Sequence, residues 1–376
     1  MKDSNVRTFV FAGGGTGGHI YPGLAVADEL RKIAESKNQK IKICWIGNSS
    51  GMDRNIVEKS GSVDLFYGVP SGKLRRYFSF RNFLDIFKIF FGFVKSFFFL
   101  MKTKPAVLFS KGGFVSVPPC VAAHLLHIPV FTHECDFTPG LATRINSKFA
   151  SKILVSYEET KKYFPSEKQN KIVVAGNPVR PVFYSANAEN GRKFLFENRP
   201  DYDSSKPVLL VLGGSLGAHQ INSLVVQNLE WLTSRFNVVH QCGGRDAENM
   251  PKNVPGYFLH PFIYKEMPDV IACADAVLSR AGANSLWECS VLGKAMVLIP
   301  LCGSGTRGDQ VDNAKYFSEH GAAEILVGDE ANSENLKKSL EKFLDEDERK
   351  KIAEKAKSLS DGKRPALCIA EIIYDV

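Results

Sequence analysis

The chain has 376 residues, of which 44% are hydrophobic and 23% charged, and a formal net charge of +8. That length allows two domains of roughly 150 residues each, and the composition excludes a disordered or low-complexity chain. The positive excess points to an anionic partner: a nucleotide, a phosphate or an acidic membrane surface.

The eight cysteines, at positions 44, 120, 135, 242, 273, 289, 302 and 368, never fall within ten residues of one another. Such scatter builds neither a zinc knuckle nor a redox pair. With no signal-peptide pattern, the thiols are expected to be reduced and cytosolic. His124 and His127 sit in an apolar helical segment and read as structural.

In chain order, the first element is a strand, Phe9–Ala12, that runs into six positions holding five glycines and Thr16, then His19 and a helical pattern. A strand that stops at glycines and restarts as a helix can hold an anion. Glycine permits the tight turn, no side chain blocks the approach, and the helix start offers unpaired N–H groups and a positive dipole end. Gly13-x-Gly15-x-x-Gly18 also fits a dinucleotide fingerprint. Against that, the second strand, Ile41–Ile46, ends in Gly47-Asn-Ser-Ser with no carboxylate for a ribose, and an ionisable imidazole at His19 suggests chemistry. Further strands are expected at 64–69, at 106–110 leading to the glycine corner Lys111-Gly112-Gly113, and at 130–133 leading to His133-Glu134-Cys135-Asp136. The pattern restarts after Lys206: Val208–Leu212 meets Gly213–Gly217, and strands follow at 238–241, 276–279 and 296–300. Strand–helix alternation with ligand-type residues at strand ends predicts α/β architecture, two doubly wound parallel sheets joined near Ala175–Pro181.

Residues 73–104 stand apart. They hold ten of the 27 phenylalanines among Arg75, Arg76, Arg81, Lys88, Lys95 and Lys102, and no charge-free stretch after Phe83 exceeds six residues. A spanning helix needs about 20 largely apolar residues, so this one does not span. Either it is a helix packed on the sheet, or it is a basic, aromatic surface resting on an anionic membrane, with Lys73, Arg75, Arg76, Tyr77 and Phe78 as the contact loop. In the second half, Gly282–Ser285 forms a glycine turn into a helix that suits a phosphate. Glu288, one turn on, either takes ribose hydroxyls or caps the helix, and Gln310 either meets sugar hydroxyls or belongs to a capped helix starting near Asp309.

In this order, Gly13–His19 (GGGTGGH), His133-Glu134, Gly176–Arg180 (GNPVR), Gly213–Gly217 (GGSLG), Arg280–Glu288 and Arg307–Gln310 (RGDQ) resemble the MurG family of bacterial glycosyltransferases, over Phe9 to about Gly321. The resemblance implies a GT-B fold: two Rossmann-like domains facing a cleft, with a C-terminal helix crossing back to the first. Its domains would be 1–177 (acceptor-binding and membrane-associating), 178–360 (UDP-sugar-binding) and 361–376 (the returning helix). It implies inverting transfer of N-acetylglucosamine from UDP-GlcNAc to the 4-hydroxyl of polyprenyl-diphosphate-linked MurNAc-pentapeptide, without metal, cofactor or nucleic acid. The location implied is the cytoplasmic face of the membrane, among proteins of wall synthesis and division.

Residue by residue, the resemblance implies that Thr16, Gly17 and Gly18 meet the donor sugar and phosphates. Arg180 and Ser215 meet the diphosphate, Ile263 the uracil, and Gln310 the glucosamine. Ala283, Asn284, Ser285, Leu286, Trp287 and Glu288 hold phosphates and ribose. Gly13, Gly14, Gly15, Lys111, Gly112 and Gly113 lie against the acceptor's diphosphate. Many relatives read His-Glu-Gln-Asn where this chain has His133-Glu134-Cys135-Asp136. An ionised Asp136 cannot donate as Asn does, so its contact with the donor sugar runs through water or accepts from a hydroxyl. His19 is the first candidate for general base and Glu134 the second, acting directly or by orienting His19. The competing readings are another UDP-sugar-dependent enzyme on the same fold, such as a UDP-GlcNAc 2-epimerase or a different glycosyltransferase, an NAD-dependent oxidoreductase, and a membrane-docked binding protein without catalysis.

Overall fold

The computed structural model describes residues 6–72, 80–213, 217–303, 306–360 and 362–376, without the side chains of 80–84. Lys73, Arg75, Arg76, Tyr77, Phe78 and Ser215 therefore lie outside the described residues. The chain divides into two compact units, Met1–Arg180 with Lys363–Val376, and Pro181–Gly362. The divisions come after Arg180 and Gly362, where the sequence reading has 177 and 360.

In the first unit the order is β1 (Arg7–Ala12), α1 (Gly17–Ser36), β2 (Ile41–Asn48), α2 (Asp53–Ser60), β3 (Leu65–Val69), α3 (Phe80–Thr103), β4 (Val107–Ser110), α4 (Val117–Leu125), β5 (Val130–Glu134), α5 (Leu141–Asn146), β6 (Lys152–Val155) and β7 (Ile172–Val174). Among the described residues the strands form one parallel sheet ordered β3-β2-β1-β4-β5-β6-β7. A sheet covered on both faces needs strands that are apolar throughout, and Phe9, Val10, Phe11 and Ala12 are all buried. Alternation sends Phe9, Phe11, Trp45, Phe109 and Phe131 to one face, under α1, and Val10, Ala12, Cys44, Ile46 and Leu108 to the other. Phe11 stacks on Trp45 (ring centroids 5.9 Å apart) and meets Phe109 edge-on at 5.3 Å. Gly23 lets α1 come down onto this layer, because a Cβ there would lie 2.6 Å from the Trp45 ring.

The second unit follows as α6 (Ala188–Phe196), β8 (Val208–Leu212), α7 (His219–Gln227), α8 (Leu229–Arg235), β9 (Asn237–Gln241), β10 (Tyr257–His260), α9 (Met267–Cys273), β11 (Ala276–Ser279), α10 (Ala283–Val291), β12 (Ala295–Leu298), α11 (Asp309–Glu319), β13 (Glu324–Ile325), α12 (Ser333–Lys342) and α13 (Glu346–Ser360). Its sheet is ordered β10-β9-β8-β11-β12-β13, parallel throughout. The last helix, α14 (Pro365–Tyr374), belongs to the first unit. Its Ala366, Ile369, Ala370 and Ile373 join the core beneath α1, and the Arg7 guanidinium donates to the Tyr374 carbonyl at 2.9 Å while covering the Tyr374 ring.

The Phe-rich segment forms α3, packed on one face and exposed on the other. One face is packed, with Gly92, Ser96, Phe99 and Leu100 buried; Asp85 is buried too and pairs with Lys88 at 3.2 Å. The other face leaves Ile86, Phe87, Phe90 (58% exposed), Phe91 and Phe98 in solvent beside Lys95 and Lys102. Among the described residues no helix is long and apolar enough to cross a membrane.

Because α14 completes the core under α1, Ile369→Ala is expected to cost about 2–4 kcal/mol, read as a lower urea midpoint. An unchanged midpoint would show that this helix contributes nothing to the first unit's core.

Candidate active site

In an open parallel sheet, ligands collect at the carboxyl ends of the two neighbouring strands whose connections leave toward opposite faces. In the first unit those strands are β1 and β4, and the two glycine corners follow them. The corners are in contact. A Cβ on Gly113 (φ +76°) would sit 2.8 Å from His19 Cδ2 and 2.9 Å from the Gly14 carbonyl, and one on Gly15 (φ +85°) would sit 2.6 Å from the Phe114 ring. Gly112 (φ +86°) has its missing Cβ 3.9 Å from His19 Nδ1. The imidazole of His19 is thus laid on the second glycine corner, half-exposed at the start of α1, whose first turn is tightened by the His19 N–H donating to the Thr16 carbonyl at 3.1 Å. Thr16, in extended conformation, is the exposed residue capping that helix.

Not every N–H of the first corner is available to a ligand. Gly13 donates to the Ile46 carbonyl at 3.2 Å. Gly15 donates to both carboxylate oxygens of Asp53, at 3.0 and 3.1 Å, and the Asn48 N–H reaches the same carboxylate at 2.9 Å. A Cβ on Gly14 would collide with this carboxylate. Asp53 is buried, which raises its carboxyl above the usual range against the pull of those N–H bonds. Sequence reasoning missed it. An acid at the first position of a helix reads as a dipole partner, and only the fold brings it to a loop 38 residues away.

Lys111 is fully buried and its Nζ has no hydrogen-bond partner among the described residues. Burial first, and the Lys111 charge second, hold the neighbouring His133 imidazole well below its usual range, so it is neutral. His133 Nε2 donates to the Gly176 carbonyl at 2.9 Å, which fixes the tautomer. Glu134 is also buried. One carboxylate oxygen accepts from the Cys135 and Asp136 N–H groups (3.0 and 3.1 Å) and the other from Gly140 (2.9 Å), so the side chain forms the turn that carries half-exposed Asp136. Ligand atoms of Glu134, Cys135 and Asp136 lie within 4.8 Å of one another, but Glu134 has its oxygens committed to backbone. The Arg180 guanidinium lies 5.2 Å from the Tyr21 ring centroid.

In the second unit the corresponding strands are β8 and β11. Gly217 (φ +78°) is packed directly on the Cys242 carbonyl. Behind it a buried chain runs from the Tyr257 hydroxyl to His240 Nδ1 (2.7 Å), from His240 Nε2 to Asn222 Oδ1 (3.0 Å), and from Asn222 Nδ2 to Asp246 and the Cys242 carbonyl (2.7 and 2.9 Å). After β11 the turn opens into α10 at Gly282, where an added Cβ would meet nothing within 4 Å. Ala283 begins the helix, with Asn284, Ser285 and Glu288 half-exposed, whereas the Leu286 and Trp287 side chains are buried in the core. Ile263 is buried with its N–H donated to Gln241 Oε1 (2.9 Å). Gln310, second residue of α11, is half-exposed and accepts the Leu301 N–H at 2.9 Å through Oε1.

Residues 9–155 match the glycosyltransferase family 28 N-terminal domain and residues 208–366 the family 28 C-terminal domain. A UDP-N-acetylglucosamine–N-acetylmuramyl-(pentapeptide) pyrophosphoryl-undecaprenol N-acetylglucosamine transferase of Treponema denticola is 48% identical, covering 98% of this chain and 97% of its own. A Bacillus cereus protein of the same name, numbered 2, is 39% identical over 93% and 94%. Among solved structures, Acinetobacter baumannii MurG superimposes with a TM-score of 0.74 at 23% identity, covering 98% of this chain and 99% of that one. A Neisseria meningitidis UDP-GlcNAc 2-epimerase bound to UDP-GlcNAc gives 0.65 at 14%, covering 98% of each. At such identities the two structures speak for the fold alone.

The His240 chain has a pH signature. Burial lowers its imidazole to about 4, while an unfolded histidine titrates near about 6.5. The folded state resists the proton, so stability falls as pH drops from about 6.5 to about 4, by roughly 3 kcal/mol for this group. His240→Gln should remove that share of the slope in denaturant titrations across the window. A His240 ring titrating near 6.5 by NMR would contradict it.

Proposed function

The chain belongs to glycosyltransferase family 28, and from that premise we propose that it transfers N-acetylglucosamine from UDP-GlcNAc to the 4-hydroxyl of polyprenyl-diphosphate-linked MurNAc-pentapeptide, with inversion, in peptidoglycan synthesis. The observation that carries this reading is 48% identity, over almost the whole of both chains, to a transferase of that name. The epimerase shares the fold at 14% identity, and a shared fold does not choose a reaction.

His19 is the base. It takes the proton of the acceptor 4-hydroxyl and that oxygen attacks the anomeric carbon. The bond from carbon to diphosphate oxygen breaks, and UDP leaves with the electron pair. One displacement inverts the centre. His19 is favoured over Glu134 because its imidazole is half-exposed on the glycine corners, whereas the oxygens of Glu134 are committed to three backbone N–H groups. Glu134 instead holds the turn that presents Asp136, which accepts from a hydroxyl of the donor sugar. Glycine at 282 is demanded neither by φ nor by a neighbour, which suits close approach of a phosphate to the start of α10. There Ala283, Asn284 and Ser285 hold the diphosphate, Glu288 the ribose, the Ile263 carbonyl the uracil and the Gln310 amide the sugar. Thr16, Gly17, Gly18 and Arg180 add to the donor contacts, and electrostatic stabilisation of the departing diphosphate is the main catalytic contribution. Gly14, with Lys111, Gly112 and Gly113, faces the acceptor's diphosphate; Gly13 and Gly15 shape that loop rather than donate to it. No metal has a step in this scheme.

The exposed aromatic face of α3, edged by Lys95 and Lys102, attaches the enzyme peripherally to the anionic cytoplasmic face of a bacterial membrane, where a lipid-linked acceptor resides. Replacing Phe90 and Phe91 together by Ser should weaken binding to anionic vesicles at least about tenfold, since each deep aromatic contributes on the order of 1–2 kcal/mol. Unchanged vesicle affinity would remove α3 from the attachment.

The reaction is tested with labelled UDP-GlcNAc and a lipid-linked muramoyl-pentapeptide in EDTA, where a new β-1,4-linked product is expected. UDP-GlcNAc isomerised without transfer would favour the epimerase. His19→Ala should lower turnover by about 10²–10⁴-fold, and a loss under about threefold would refute the base assignment.

A further inference from the structure

We propose that Asp53 is the positioning residue of the acceptor loop: by taking up the Gly15 N–H it sets the shape in which the rest of the Gly13–Gly18 loop meets the acceptor's diphosphate. The inference rests on the functional reading above. A carboxylate directly beneath a loop meant for an anion is unexpected, because like charges repel. Here its lone pairs are committed to N–H groups: Gly15 at 3.0 and 3.1 Å, Asn48 at 2.9 Å, and its own backbone. It also sits at the N-terminus of α2, where the helix dipole offsets negative charge. Oδ2 accepts from both Gly15 and Asn48 and Oδ1 accepts from Gly15 again, so an amide that keeps its oxygen at the shared position turns its NH₂ toward the Gly15 N–H. The fit is close on all sides. Gly14 has no room for a Cβ against the carboxylate, and a Cβ on Gly47 would lie 3.4 Å from the Asp53 Cβ. Two N–H groups of the loop, those of Gly13 and Gly15, are thereby turned inward to Ile46 and Asp53. Desolvation works against the buried carboxylate, and the N–H bonds of Gly15 and Asn48 work for it.

The test is Asp53→Asn in the full chain, with Asp53→Glu as the conservative partner. The acceptor KM should rise by about tenfold or more while the UDP-GlcNAc KM stays within about twofold, and Asp53→Glu should recover part of the loss. The Gly15 amide should exchange faster with solvent. Unchanged acceptor KM overturns the proposal, and so does a parallel rise in both KM values with a lower melting temperature, which marks a purely structural residue. If the wild type makes no product, the functional reading fails by itself and the exchange rates decide the clasp: unchanged Gly15 exchange in the variant overturns it.

Discussion

Where β1 and β4 end, two main chains run so close that a single methyl group on Gly113 would strike both an imidazole and a carbonyl. The rest of the first unit is arranged around keeping side chains out of that gap. Adjacent parallel strands whose helices leave to opposite faces open a crevice at their carboxyl ends, and here both walls of the crevice are backbone. Glycine is needed at 15, 112 and 113 because each adopts positive φ, and at 14 because a carboxylate occupies the space of a side chain. Through this contact the imidazole of His19 rests on a surface of peptide groups and is fixed by packing.

The polar groups around these corners act largely as scaffold. Asp53, Glu134 and His133 are buried, and each is bonded to main-chain groups of a neighbouring turn. An unsatisfied buried donor or acceptor costs about 1–3 kcal/mol, so every such bond strongly disfavours alternative loop conformations. In the second unit the chain Tyr257–His240–Asn222 does the same for the turn that Gly217 packs against. Lys111 is the exception, buried with no hydrogen-bond partner for its Nζ among the described residues, and its charge bears on His133.

The two units use one recipe with different emphasis. In the first, corner meets corner and space is scarce. In the second, the turn into α10 is open at Gly282, and the polar side chains of Asn284, Ser285 and Glu288 lie half-exposed beyond it. A tight backbone cradle suits a group held by shape; an open helix start with flanking hydrogen-bonding side chains suits a nucleotide that must enter and leave. The amphipathic α3, packed on one face and aromatic on the other, adds a surface that a fully soluble substrate would not require.

Much of this was legible in the residues alone. Alternating strand and helix patterns, glycine corners at strand ends, and one restart of the motif determine a doubly wound α/β protein in two halves, since period and turn chemistry are local properties. Family resemblance extended that to a reaction and to residue roles. What the one-dimensional chain could not reveal is which distant groups meet. Asp53 reads as a helix-start acid until the sheet order brings it under Gly15; Glu134 reads as a second base until its oxygens are seen to hold a turn; Leu286 and Trp287 read as part of a binding turn until the helix phase rotates them into the core. Local sequence determined where backbone could bend and where helices could start. Tertiary packing decided which side chains face a ligand and which are consumed as scaffold, because burial and hydrogen-bond partnership are properties of neighbours in space.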